Sequence, residues 1–149
     1  RQLVLLMGPP GCGKSTYAGR FPFVVTTDEL RAAQRDDDGR LPQQDVDRIY
    51  QDAFDSVVTH LRAGHAVVLD SPSLSQGTRT RALAIAHGYK ARATLVAFDT
   101  PLETCLSRQH GRTHPVPAAV VEQMHRTYQD QVALARREGW DDVLEVTGQ

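Results

Sequence analysis

One stretch constrains the fold of this chain more than any other: Gly8-Pro9-Pro10-Gly11-Cys12-Gly13-Lys14-Ser15-Thr16. It fits G-x-x-x-x-G-K-[ST], a phosphate-binding loop, which needs a strand before it and a helix after it. Residues 3–7 form the unbroken apolar run of a buried parallel strand. Residues 16–18 continue a helix until Gly19 and Pro22 weaken it. In such a loop the glycines allow tight turns that aim backbone N–H groups at phosphate oxygens. The helix that follows adds its positive end. Gly11, Cys12, Gly13, Lys14, Ser15 and Thr16 are therefore the expected nucleotide-binding residues. Lys14 brings a full charge to the β- and γ-phosphates of ATP. The Ser15 hydroxyl is the expected Mg²⁺ ligand, and Thr16 lies towards the α-phosphate.

The rest of the chain alternates strand and helix patterns. Residues 23–27 read as a second strand that runs straight into Asp28-Glu29-Leu30-Arg31. The carboxyl end of a parallel strand is where α/β proteins hold ligands. Asp28 and Arg31 stand at i and i+3, so on a helix they share one face. A helix cap at Thr27 or Asp28 is the plainer reading of the same residues. Residues 35–42 read as a solvated loop. Asp36 to Gly39 formally fits D-x-x-G, but no strand precedes it, and no N-K-x-D guanine-reading motif occurs in the chain.

Residues 45–62 carry apolar side chains at i, i+3 and i+4 from Val46 to Leu61, which predicts an amphipathic helix ended by Gly64. Residues 66–70 are a third buried strand closing on Asp70. An acid there suits the second carboxylate of a nucleotide site, acting on Mg²⁺ directly or through water. Ser75 can cap a helix running to His87, with Arg79 and Arg81 near its start; one of them can face the site or both can be solvated. Residues 93–98 are a fourth strand, and Pro101 suits the first turn of a helix carrying Cys105. Residues 108–116 are polar, lack apolar periodicity and hold Arg108 and Arg112, which reads as a mobile lid. Pro117 opens a long helix, Gly139-Trp140 breaks it, and residues 143–146 read as a last strand. Such alternation predicts a parallel sheet with helices on both faces.

Composition narrows the functions. The 149 residues suffice for one domain with a sizeable core. A net charge of -1 excludes a basic nucleic-acid coat, so any nucleic-acid contact must be local. Lys14 and Lys90 are the only lysines among 17 basic residues; the rest are Arg, which suits bidentate phosphate recognition. Cys12 and Cys105 read as free thiols of a reducing cytoplasm. No signal peptide or membrane-spanning run is present, and a cytoplasmic location is the expectation.

With these residues in view the chain resembles the polynucleotide 5′-hydroxyl kinases of the phage and bacterial end-healing type. The likeness spans nearly the whole chain. It rests on Gly8 to Thr16, on Thr27-Asp28-Glu29-Leu30-Arg31, on Val68-Leu69-Asp70-Ser71 followed by Arg79, and on Phe98 to Pro101 through Arg108, Arg112 and Val116-Pro117. The resemblance implies an adenylate kinase-like P-loop fold, with five parallel strands in the order 2-3-1-4-5. It implies ATP and Mg²⁺, and 5′-hydroxyl RNA or DNA ends as acceptors. Asp28 would be the general base, Arg31 the grip on the phosphate 3′ to the terminal nucleotide, and Arg108 and Arg112 the lid pair on the ATP phosphates. Asp70 and Arg79 complete the expected acceptor side. Companion repair domains in a longer protein are expected, since related members are fused to phosphatase or ligase domains. A departure is Asp70-Ser71-Pro72-Ser73, where the family often reads Asp-Ala-Thr-Asn. A sugar, antibiotic or nucleotide-sugar kinase on the same scaffold is the alternative reading.

Overall fold

A computed structural model describes residues 1–27 and 42–147. Five parallel strands form one sheet: β1 (Gln2–Met7), β2 (Val24–Thr26), β3 (Ala66–Asp70), β4 (Arg92–Phe98) and β5 (Asp142–Val146). Their order is β2-β3-β1-β4-β5, as the resemblance implied. The described helices are α1 (Lys14–Ala18), α2 (Gln43–Arg62), α3 (Gln76–Gly88), α4 (Leu102–Ser107) and α5 (Ala118–Ala135). A 3₁₀ turn, Arg108–Gly111, follows α4 directly.

The central strand β1 is flanked by β3 and β4, with Leu5 in register with both Leu69 and Leu95. Side chains alternate across a strand, so the continuous apolar run of β1 supplies two cores. Leu3, Leu5 and Met7 join Leu69, Leu95 and the inner faces of α2, α3 and α5. Val4 and Leu6 join Val68, Val96 and Phe98, under Ala18 of α1, Cys105 of α4 and Val121 of α5. On α2, Ile49, Ala53, Phe54, Val57 and Leu61 are buried, the stripe that the periodicity predicted. Burying each of the larger ones stabilises the fold by roughly 1.5–3 kcal/mol. The helix ends as predicted, with Gly64 at a φ of 82° donating its N–H to the Leu61 carbonyl at 3.0 Å. Ser75 caps α3 by accepting the Thr78 N–H. No described helix is long and apolar enough to cross a membrane.

Parallel pairing sends every carboxyl end of the sheet to one edge. The loops after β1, β3 and β4 meet there, which sets the phosphate loop beside Asp70 and Thr100.

Candidate functional site

The loop between β1 and α1 is held from outside by its carbonyls. The Thr100 hydroxyl donates to the Cys12 carbonyl at 2.8 Å, and Arg108 Nη1 donates to the Gly11 carbonyl at 2.9 Å. The Gly8 N–H donates to the Pro72 carbonyl at 3.0 Å, tying the loop to the β3–α3 connection. In a trans peptide the carbonyl and the next N–H point opposite ways. Pinning the Cys12 carbonyl outwards therefore turns the Gly13 N–H inwards, next to the first N–H groups of α1, which have no helical acceptor. A cavity of about 430 Å³ opens on that side, lined by Gly11 to Thr16 together with Arg108 and Arg112.

Gly11 has no freedom to be another residue. Its φ is +84°, and a Cβ would sit 2.6 Å from the Cys105 carbonyl oxygen, a backbone atom. Gly11→Ala is expected to weaken nucleotide binding by at least tenfold and to lower the melting temperature. Isothermal titration with an ATP analogue beside a thermal scan measures both.

Lys14 is buried, with 4% of its surface exposed. Its ammonium donates to the Gly8 carbonyl at 2.7 Å, to the Pro9 carbonyl at 3.0 Å and to Cys12 Sγ at 3.5 Å. The charge is thus held at the mouth of the loop. Ser15 Oγ donates to Asp70 Oδ2 at 2.9 Å, which joins the two groups read from the sequence as the metal pair. A hydroxyl and a carboxylate are hard oxygen donors and fit Mg²⁺. Among the described residues no cluster of three His, Cys, Asp or Glu side chains could hold a metal ion.

Asp28 and Arg31 lie outside the described residues, as does the 36–39 stretch. The strand before them is described: the Thr27 N–H donates to the Asp70 carbonyl at 3.1 Å, so β2 delivers the chain to the Asp70 side of the site. The connection after Asp70 is braced by its own residues. Ser71 and Ser73 hydroxyls bond at 2.7 Å, Ser73 takes a φ of 53°, and Pro72 supplies the carbonyl that holds Gly8.

Arg79 is not at the site. It is fully buried, and its guanidinium pairs with Glu138 through Nε at 2.8 Å and Nη2 at 3.1 Å. Nη2 also donates to Gln131 at 2.8 Å, and Nη1 to the Ser73 and Leu74 carbonyls at 3.1 and 2.9 Å. All five N–H groups are used, so no donor remains for a substrate. Charge compensation by Glu138, just past the end of α5, holds Arg79 inwards, away from the role expected of it.

The stretch 108–116 is anchored at both ends. Gln109 is buried, and its side-chain carbonyl accepts the Val116 N–H at 3.0 Å, while Val116 itself is buried. Residues 110–115 between them are exposed. Arg108 belongs to the frame of the loop, whereas Arg112 is exposed at its rim. Arg108→Ala is therefore expected to lower both turnover and stability, the latter by about 1 kcal/mol for the lost hydrogen bond. Arg112→Ala is expected to lower turnover with no change in melting temperature. Thr100 and Gln109 carry no signal in the sequence, because each is held by backbone atoms, the Cys12 carbonyl for Thr100 and the Val116 N–H for Gln109. Both cysteines are free and buried. Burial pushes the Cys105 thiol up to about 11, so it is not a nucleophile near neutrality.

Residues 3–131 match the family model AAA_33, an AAA domain. The chain belongs to that family. No curated protein matches it in sequence. Among solved structures, Kti12 of Chaetomium thermophilum in complex with ADP-AlF3 superposes with a TM-score of 0.73 at 16% identity, covering 97% of this chain and 88% of that one. A chain of the Pnkp1/Rnl/Hen1 RNA repair complex gives a TM-score of 0.69 at 25% identity, covering 89% of this chain and 45% of that one. This AAA-family domain thus spans less than half of that subunit. A gluconokinase from Sinorhizobium meliloti gives 0.64 at 18% identity, covering 99% of this chain and 82% of that one. The fold is that of the P-loop kinases.

Proposed function

We propose that this domain is an ATP-dependent polynucleotide 5′-hydroxyl kinase, transferring the γ-phosphate of a nucleoside triphosphate to 5′-hydroxyl ends of RNA or DNA. The observation that carries phosphoryl transfer is the convergence of Lys14, Ser15 and Asp70 on one phosphate loop, with Ser15 and Asp70 in contact at 2.9 Å. The acceptor class is supported by Asp28 and Arg31 following β2, and by the 25% identity with a chain of an RNA repair complex.

In this mechanism Lys14 and the inward N–H groups bind the β- and γ-phosphates. Asp28 takes the proton of the acceptor hydroxyl and orients its oxygen for in-line attack. Arg108 and Arg112 offset the charge that spreads over the transferred group. Mg²⁺, held by Ser15 and Asp70 directly or through water, would neutralise phosphate charge when bound.

A small-molecule kinase is the second reading, favoured by the likeness in fold to a gluconokinase. Arg31 separates the two. A nucleoside 3′-monophosphate or an oligonucleotide offers a phosphate one sugar away from the 5′-hydroxyl; a nucleoside or sugar does not. A charge-assisted contact contributes roughly 1.5–3 kcal/mol, or about ten- to a hundredfold in kcat/KM. Wild type should show that preference for phosphorylated acceptors, and Arg31→Ala should erase most of it while retaining ATP binding. Absence of any preference in wild type hands the assignment to the small-molecule reading.

A further inference from the structure

The buried side chains of α5 are Val121, Tyr128 and Ala135, which share one stripe of the helix. His125 stands four residues after Val121 and three before Tyr128, on the same stripe. The pattern predicts an apolar side chain there, yet the position holds a half-buried imidazole. Its Nε2 lies 3.0 Å from the Thr100 carbonyl oxygen. A carbonyl only accepts, so Nε2 carries a proton and donates it.

Thr100 is buried, with 2% of its surface exposed, and Pro101 follows it. Proline has no N–H, so the Thr100–Pro101 peptide can be held by hydrogen bonds only through its carbonyl. The Cys105 thiol, a weak donor, also meets that carbonyl, at 4.0 Å. His125 is the stronger hold. The Thr100 hydroxyl in turn donates to the Cys12 carbonyl, the bond that turns the Gly13 N–H inwards. Gly13, at a φ of 111°, has no Cβ to fix that peptide from within, so its direction is set from outside.

We infer that His125 is a positioning residue of the nucleotide site, acting through Thr100 on the Cys12–Gly13 peptide. The inference rests on the kinase reading above. Neither His125 nor Thr100 lines the nucleotide cavity, so their effect reaches a phosphate through the loop. An N–H aimed in advance binds charge without first reorganising, which is where the gain arises. The same helix holds Arg79 through Gln131. Arg79 fastens the Ser73 and Leu74 carbonyls beside Pro72, whose carbonyl holds Gly8. The connections after β3 and β4 that steady the loop therefore both lean on α5.

The test measures binding of a non-hydrolysable ATP analogue with Mg²⁺ by isothermal titration, beside steady-state kinetics and thermal melting. The variants are His125→Leu, His125→Gln, Thr100→Val and the double variant of His125→Leu with Thr100→Val. A neutral hydrogen bond corresponds to about two- to tenfold in affinity. His125→Leu should weaken analogue binding by that factor and raise the ATP KM to match, leaving the acceptor KM unchanged. His125→Gln, whose amide N–H reaches about as far as Nε2, should recover most of the loss. Thr100→Val keeps the shape without the hydroxyl and should lose at least as much as His125→Leu. The double variant should bind as Thr100→Val does, because the second change cuts a path already cut. His125→Asn, too short to reach the carbonyl, should match His125→Leu and replaces it if the leucine variant does not fold. Undiminished analogue binding in His125→Leu or its replacement, whatever the melting temperature, overturns the inference and leaves the kinase reading standing. Losses that simply add in the double variant do the same. A wild type that binds no nucleotide overturns both.

Discussion

Lys14→Ala is expected to lower phosphoryl transfer by roughly 10²–10³ while the fold survives. The ammonium is the one full positive charge inside the loop, and it already sits against the Gly8 and Pro9 carbonyls. Removing a single preorganised charge partner of the transition state costs roughly 10²–10³ in turnover. Stability should change little, because the side chain packs against the loop that it serves and belongs to neither apolar cluster. A ligand at a hundred times its Kd stabilises a protein by about 2.7 kcal/mol. Wild type should therefore show an upward thermal shift of several degrees with saturating ATP and Mg²⁺, and Lys14→Ala should lose most of it. Wild-type turnover in the mutant would remove the assignment of the loop.

Arg79→Met is expected to give the largest loss of stability of any single change at a polar position. Glu138 is 8% exposed in its side chain and Arg79 fully buried, so removing the cation strands a buried carboxylate. Breaking such a pair costs roughly 3–5 kcal/mol, which for a chain of this size lowers the melting temperature by about 10 °C. Replacing both partners should cost less than replacing one, since no charge is then left unpaired. The double variant Arg79→Met with Glu138→Leu should recover several degrees. Trp140, the only tryptophan, donates to Glu138 at 3.5 Å and makes a local fluorescence reporter for the transition. If the single variant melts like wild type, the guanidinium network contributes nothing and its geometry is incidental.

The parts of this protein that were legible in its sequence are those set by local pattern. The apolar runs of β1, β3 and β4 have one interpretation in an alternating chain, and the α2 stripe from Val46 to Leu61 has another. Asp70 was legible because a buried strand that closes on an acid points that acid at the ligand edge. The loop motif located Lys14 and Ser15 for the same reason. Arg79 and Arg81 were not separable, because local spacing says which face a side chain takes and nothing of what waits there. The partner that claims Arg79 lies 59 residues away. The roles of Thr100 and Gln109 were hidden likewise, since each bonds to a backbone carbonyl or N–H that any residue could supply.

The clip between Gln109 and Val116 sets a limit on how far anything can travel over the nucleotide cavity. Six residues lie between its two ends. A fully extended chain spans at most about 3.3–3.6 Å per residue, so a six-residue loop has a contour of about 20 Å and can project about 10 Å from its base. While the clip holds, the excursion of Arg112 is therefore comparable to the length of its own side chain plus one or two residues of backbone. Water is then to be excluded by a displacement too short to alter the outline of the molecule. Small-angle scattering of the domain with and without ATP should give the same radius of gyration, even where the kinetics demand closure.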